Sequence, residues 1–332
     1  MLKYFGEMTW SENPVLAVRL ARLCEHFDYD FIWVPDSHII WREAYSYLSL
    51  YATHTSKTKL GTAVTNFHTR NPTVVAGATC TINEISNGRM VLGVGRGDSS
   101  VRVIGEQPLK LEEFKRDVLL VKALCNGEQV DYHGTPVKIP WSKGRVPIYI
   151  AAYGPKVLEF AGAVADGVIL QIGEPSVITW SMKYIKKGAE SAGRSLSDLD
   201  IVSAAACYIS DDLEKAREYV RNFPGIVSNH VFDLMKKYPM TELPKELVND
   251  IEALRGKYNY LEHGSVGAKH TKFISDRLVD SFTIVGNAER CTEKIKQLEN
   301  VGITNLMLYL PDAADREYLI RVFAEQVMPH FK

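Results

Sequence analysis

The sequence predicts an α/β fold, a closed (β/α)8 TIM barrel with insertions, on three observations. Apolar runs of strand length alternate with amphipathic helical patterns from the first residues onward, as expected of parallel strands joined by helical crossovers. Eight such runs are present, the number that closes this kind of barrel. Residues 146–173, VPIYIAAYGPKVLEFAGAVADGVILQIG, hold one complete strand–turn–helix–strand unit of the repeat.

Taken in order, strands are predicted at 3–8, 30–35, 59–64 and 89–95, then at 146–152, 167–171, 201–209 and 305–310. The second contains the dense run Phe31-Ile32-Trp33-Val34, and the fourth ends in Gly93-Val94-Gly95. Those glycines lack G-x-G-x-x-G spacing and open no helix, so they read as backbone passing close to a flat ligand rather than as a dinucleotide turn. Helices are predicted at 14–27, 45–55, 73–85, 111–125, 157–165, 176–192, 288–300 and 313–327. In the fifth, Val157, Leu158, Ala161 and Val164 share one face, and Pro155 suits the first turn because its missing N–H has no partner to lose. Asn71 before Pro72 and Ser176 are candidate N-caps, and Gly193 marks a helix end. Two segments, about 127–145 and 223–280, do not fit the repeat and read as insertions into one domain spanning 1–332. The first has the pattern of a short hairpin; the second is amphipathic helix interrupted by Pro239, Pro244 and Gly264.

Composition narrows the function. A hydrophobic content of 46% suits a sizeable core, and 39 basic against 40 acidic residues predict neither a nucleic-acid nor a membrane partner. Five widely spaced cysteines without a C-x-x-C pair predict a reducing, cytoplasmic setting. The first residues show no basic-then-apolar leader, and no apolar run reaches the roughly 20 residues that span a bilayer. No metal is predicted, because His263 and His270 in the second insertion lack further ligands at fixed spacing.

In a parallel barrel the active site lies at the C-terminal ends of the strands. That rule selects Glu7, Asp36 with Ser37 and His38, Asn66 with His68 and Arg70, Asp98 with Ser99, Tyr153, Gln171 and Tyr208. Asp36 follows an apolar run, where partial desolvation would suit acid or base work; capping of the next turn is the alternative. After the fifth strand, Ala151, Ala152 and Gly154 are small enough for an oxyanion to approach the N–H groups of the following helix, whose dipole favours negative charge. This turn is read as a phosphate site, with an ordinary strand-to-helix turn as the alternative.

The Ala-Ala-Tyr-Gly-Pro turn at 151–155, Ala165-Asp166-Gly167 and Gln171-Ile172-Gly173 resemble the phosphate-binding half of the bacterial luciferase-like superfamily. The resemblance extends over the whole chain and is narrowest to the deazaflavin-dependent branch, which includes methylenetetrahydromethanopterin reductases and glucose-6-phosphate dehydrogenases. Asp36 and Trp41 match that branch's acid and tryptophan around the ring, while Ser37 stands where the sugar-phosphate enzymes carry histidine. The segment 60–66 with Thr69-Arg70-Asn71-Pro72 is similar to the third strand of the methanopterin reductases, which implies a cis peptide between Ala63 and Val64 behind the ring. Asp98 matches the acid after the fourth strand. The form of these motifs is nearest to an uncharacterised subgroup.

The resemblance therefore implies an oxidoreductase passing hydride between coenzyme F420, or alternatively FMN, and a small organic substrate. Asp36, Trp41 and Asp98 are its implied catalytic residues, and the strand-end position adds Glu7 as a further catalytic candidate. Ala63, Val64, Asn66, Ala151, Ala152, Tyr153, Gly154, Gln171, Ile172 and Gly173 are its implied cofactor contacts. A homodimer through helices 45–55 and 73–85 is expected. An FMN-dependent monooxygenase and a noncatalytic flavin-binding protein of the same fold are the alternatives.

Overall fold

The computed structural model describes residues 1–10, 13–238, 243–254, 267, 269–311 and 315–331. Its strands are β1 (Tyr4–Met8), β2 (Phe31–Val34), β3 (Lys59–Thr62), β4 (Thr65–Asn66), β5 (Met90–Gly95), β6 (Val130–Tyr132), β7 (Thr135–Val137), β8 (Ile148–Ala151), β9 (Gly167–Leu170), β10 (Asp200–Ile209), β11 (Ile284–Gly286) and β12 (Asn305–Tyr309). Eight of them pair in parallel in the order β1-β2-β3-β5-β8-β9-β10-β12, and β12 pairs back onto β1, closing the barrel. All eight predicted strands are found. The third is interrupted: β3 ends at Thr62, the Ala63–Val64 peptide is cis, and the chain resumes pairing as β4 against β5.

Helices Pro14–His26, Ala44–His54, Pro72–Ile85, Leu111–Cys125, Pro155–Val164, Pro175–Ser191, Ala288–Asn300 and Arg316–Gln326 match the predicted set. Asn71 caps its helix by accepting from the Thr73 N–H, and Gly193, at φ 69°, ends its own. Ser176 is not a cap. Glu174 takes that place, accepting from both the N–H and the hydroxyl of Ser176. Sequence patterning missed the helix Leu213–Val220 and β11, which is too short for an alternating pattern to register; β11 extends the sheet by pairing with the far end of the long β10. The segment 127–145 contains the antiparallel hairpin β6–β7, and 223–280 contains the helices Phe223–Lys237 and Lys245–Ala253 and most of Asp276–Phe282. His263 lies outside the described residues, as does the side chain of His270.

Side chains alternate across a strand, so each barrel strand sends every second residue inward. The interior is filled by Phe31, Trp33, Val91, Tyr149, Ile169, Val202 and Met307. Trp33 lies at its centre, stacked on Phe31 at 5.1 Å, and neighbouring strands give it room with glycine. A Cβ on Gly61 would lie 2.2 Å from the indole and one on Gly6 2.6 Å. Gly61→Ala is therefore expected to cost roughly 1–3 kcal/mol through overpacking, read as a lower urea midpoint at unchanged m-value.

The same alternation overturns one expectation. Met8 points into the barrel, so Glu7 points out, toward the helix layer, and takes no place at the barrel mouth. It is fully buried there and accepts from Arg316 of the last helix at 2.6 Å. The same guanidinium donates to the Met8 and Trp10 carbonyls, tying the start of the chain to its end.

Candidate active site

At the C-terminal mouth of the barrel lies a cavity of about 500 Å³. Its floor is apolar and made of small groups: Ala63, Val64, Gly95, Ala151 and Ala204, with Ile169 and Met307 beneath. Gly95 packs tightly into this floor: a Cβ there would approach the Val64 side chain to 3.0 Å. On one side Ala152, Tyr153, Gly154 and Val157 bring the start of helix Pro155–Val164 to the cavity. That N-terminus has no side-chain cap and Gly154 stands at the N-cap position; Pro155 carries no N–H and the Val157 N–H turns back to the Gly154 carbonyl at 3.0 Å, which leaves the Lys156 N–H as the first-turn donor beside a residue with no side chain. Arg96, Arg102 and Lys237 add positive charge at the walls. Gln171 accepts the Tyr153 hydroxyl at 2.7 Å and fixes its ring.

The carboxylates of the cavity are both paired. Asp36 is buried and accepts a two-pronged interaction from Arg70, Nε to Oδ2 at 2.9 Å and Nη2 to Oδ1 at 3.0 Å, plus the Thr65 hydroxyl at 2.7 Å. Arg70 also reaches Glu43, and these anionic partners raise its pKa, with the Asp36 hydrogen bonds as the largest cause. Asp98 bonds Arg102 at 2.6 Å and faces His230 Nε2 at 3.3 Å. Burial raises the Asp98 carboxyl, but its polar partners His230 and Arg102 outweigh it and hold the group well below the ordinary carboxylate range.

The cavity thus brings together Asp36, Trp41, Asp98, Ala63, Val64, Asn66, Ala151, Ala152, Tyr153, Gly154 and Gln171. Trp41 packs against Trp10 at 5.6 Å, which in turn stacks on Tyr309. The Asn66 carbonyl oxygen is committed to the N–H groups of His68 and Thr69, and its amide donates to Ser100, so the side chain organises its own loop. Three expected site residues lie elsewhere. Glu7 is behind β1; Ile172 is buried in the outer core; and Gly173 packs on Phe282, where a Cβ would lie 2.7 Å from the carbonyl oxygen. Tyr208, stacked on Tyr219 at 4.5 Å, and the pair His68–Glu106 also stand away from the cavity lining.

Sequence reasoning missed the wall supplied by helix Phe223–Lys237. Ile226, His230 and Lys237 all line the cavity, and His230 stacks on Tyr153 at 4.2 Å with rings 17° apart. Their spacing of four and seven residues places them on one face of a helix, a signal present in the sequence but unread within an insertion.

The model of the luciferase-like monooxygenase family matches residues 6–305. The chain is 31% identical over 335 residues to 5,10-methylenetetrahydromethanopterin reductase of Methanolobus tindarius, with 98% of this chain and 99% of that relative covered. It is 26% identical over 342 residues to F420-dependent glucose-6-phosphate dehydrogenase of Amycolatopsis mediterranei, with 96% and 95% covered. The fold superposes on coenzyme F420 dependent tetrahydromethanopterin reductase from Methanopyrus kandleri with a TM-score of 0.82 at 24% identity, covering both chains fully. A family model spanning most of the sequence and a relative above 30% identity across nearly all of it agree with the closed barrel, and the chain belongs to the luciferase-like monooxygenase family.

Proposed function

We propose that the protein is a coenzyme F420-dependent oxidoreductase acting on a small organic substrate. The observation that carries this reading is the pairing, in one cavity, of a floor of mostly small apolar groups with an uncapped helix N-terminus. The residues present fit a flat tricyclic ring with a phosphate-bearing tail. Ala63, Val64, Gly95 and Ala151 would hold the ring by one face, and Gly154 with the Lys156 N–H at the positive end of the helix would take the phosphate. When bound, a deazaflavin supplies two-electron hydride chemistry, and the protein contributes orientation, exclusion of water and proton handling. The coenzyme named for two relatives similar over almost the whole chain supports the choice of deazaflavin over FMN. Fluorescence titration of the purified protein with coenzyme F420, alongside FMN, tests this: saturable F420 binding with weaker or no FMN binding is expected, and the reverse order would favour a flavin monooxygenase.

Asp36 serves here as a positioning group that fixes Arg70 and the wall carrying Trp41. Asp36→Asn is expected to lower stability by roughly 2–3 kcal/mol, since it breaks a buried ion pair while Glu43 still partners Arg70. Coenzyme affinity of the folded fraction should stay within about threefold. A variant of normal stability with turnover lower by about 10²-fold would instead return proton transfer to Asp36.

The same reading includes a homodimer. Val74 and Ile85 on helix Pro72–Ile85 are exposed, whereas the apolar residues of helix Ala44–His54 are largely buried within the subunit, so the second helix is the centre of the proposed interface. Light scattering at micromolar concentration is expected to give twice the chain mass; a monomer would refute it.

A further inference from the structure

The cavity contains a proton-handling group that the family resemblance did not supply. His230 comes from the inserted helix Phe223–Lys237, not from a strand end, and two contacts fix its ring. Its face stacks on Tyr153; its Nε2 lies 3.3 Å from Asp98 Oδ2; and Asp98 is itself held by Arg102 at 2.6 Å. Tyr153 is held in turn through its hydroxyl on Gln171. Among the described residues, His230 Nδ1 has no hydrogen-bond partner, although the ring borders the cavity. By contrast both oxygens of Asp36 are occupied by Arg70 and Thr65.

We propose that His230 is the proton-accepting residue of the site, held by Asp98 as the Nε2–H tautomer with its Nδ1 lone pair presented to substrate. A carboxylate accepting from one ring nitrogen leaves the neutral ring's lone pair on the other. This inference rests on the oxidoreductase reading above. For a substrate carbon bearing a hydroxyl, the C–H and O–H bonds both break as C=O forms. A bound deazaflavin would supply the hydride acceptor, and the proton passes to His230 Nδ1, giving an imidazolium beside the Asp98 carboxylate. In the reductive direction both return, and the ring is neutral again. The inserted helix then contributes chemistry as well as a wall, and its sequence, more than the barrel's, would set which substrates are oxidised.

The test needs no identified substrate. Long-range proton–nitrogen NMR on the full chain, labelled with 15N-histidine and saturated with coenzyme F420, reads the tautomer of each neutral ring; His230 is the signal lost in His230→Gln. The expected result is a proton on Nε2 in the wild type, with this preference reduced about fivefold or more in Asp98→Asn, while circular dichroism of both variants stays close to wild type. A ring protonated on Nδ1, or a tautomer preference indifferent to Asp98→Asn, overturns the proposal. Coenzyme fluorescence on the same samples separates the two readings. Failure of the wild type to bind F420 refutes the coenzyme assignment, whereas binding with the wrong tautomer refutes only the role of His230.

Discussion

Replacing Arg316 with alanine is expected to lower the free energy of unfolding by roughly 3–5 kcal/mol, because it removes the buried guanidinium that pairs with the Glu7 carboxylate in the layer between barrel and helices. Arg316 is 7% exposed and Glu7 is not exposed at all, so water cannot take over the lost interaction. The loss also removes the donor to the Met8 and Trp10 carbonyls and the cation stacked over the Trp10 ring at 4.8 Å. These contacts join the first strand to the last helix, so the damage should appear in global denaturant unfolding rather than as fraying of one end. The double change Glu7→Leu with Arg316→Leu is expected to recover part of the loss, since no charge then remains buried. A single Arg316→Ala variant within about 1 kcal/mol of wild type would show that the pair is dispensable.

The largest effect on binding is expected from Gly154→Asp. Gly154 has φ −84° and ψ 153°, a conformation open to any residue at a helix N-cap, and among the described residues a Cβ there would meet only Leu234, at 3.9 Å. An aspartate can therefore enter without strain, cap the bare helix and stabilise the fold by up to about 1 kcal/mol. Its carboxylate would stand where the coenzyme phosphate is proposed to bind and would engage the same N–H. Affinity for coenzyme F420 should fall by about 10²-fold or more, equivalent to roughly 2.7 kcal/mol. Gly154→Ala, which adds no charge, should bind nearly normally. An aspartate variant that binds as tightly as wild type would place the phosphate elsewhere, and the cations Arg96, Arg102 and Lys237 would be the next positions to change.

Much of this protein is written locally in its sequence. Strand runs such as 31–34, the proline at the first turn of helix Pro155–Val164 and the glycine after residue 192 each act through their own backbone and near neighbours, and all stand where local rules put them. The strand-end rule likewise located most of the cavity, since which residues follow a strand is itself a local property. What it did not fix is facing: a shift of one residue turns a side chain from the barrel mouth to the helix layer, and Glu7 lies one residue from the inward-facing Met8. Partnership was equally illegible. Asp36 and Arg70 stand 34 residues apart, Glu7 and Arg316 309 apart, and nothing local says that either pair will meet. The inserted helix is the clearest case. Its amphipathic pattern fixed that it would fold as a helix, but only barrel closure, by setting the loop ends beside one another, decided that the face bearing His230 would lie against Tyr153 and Asp98.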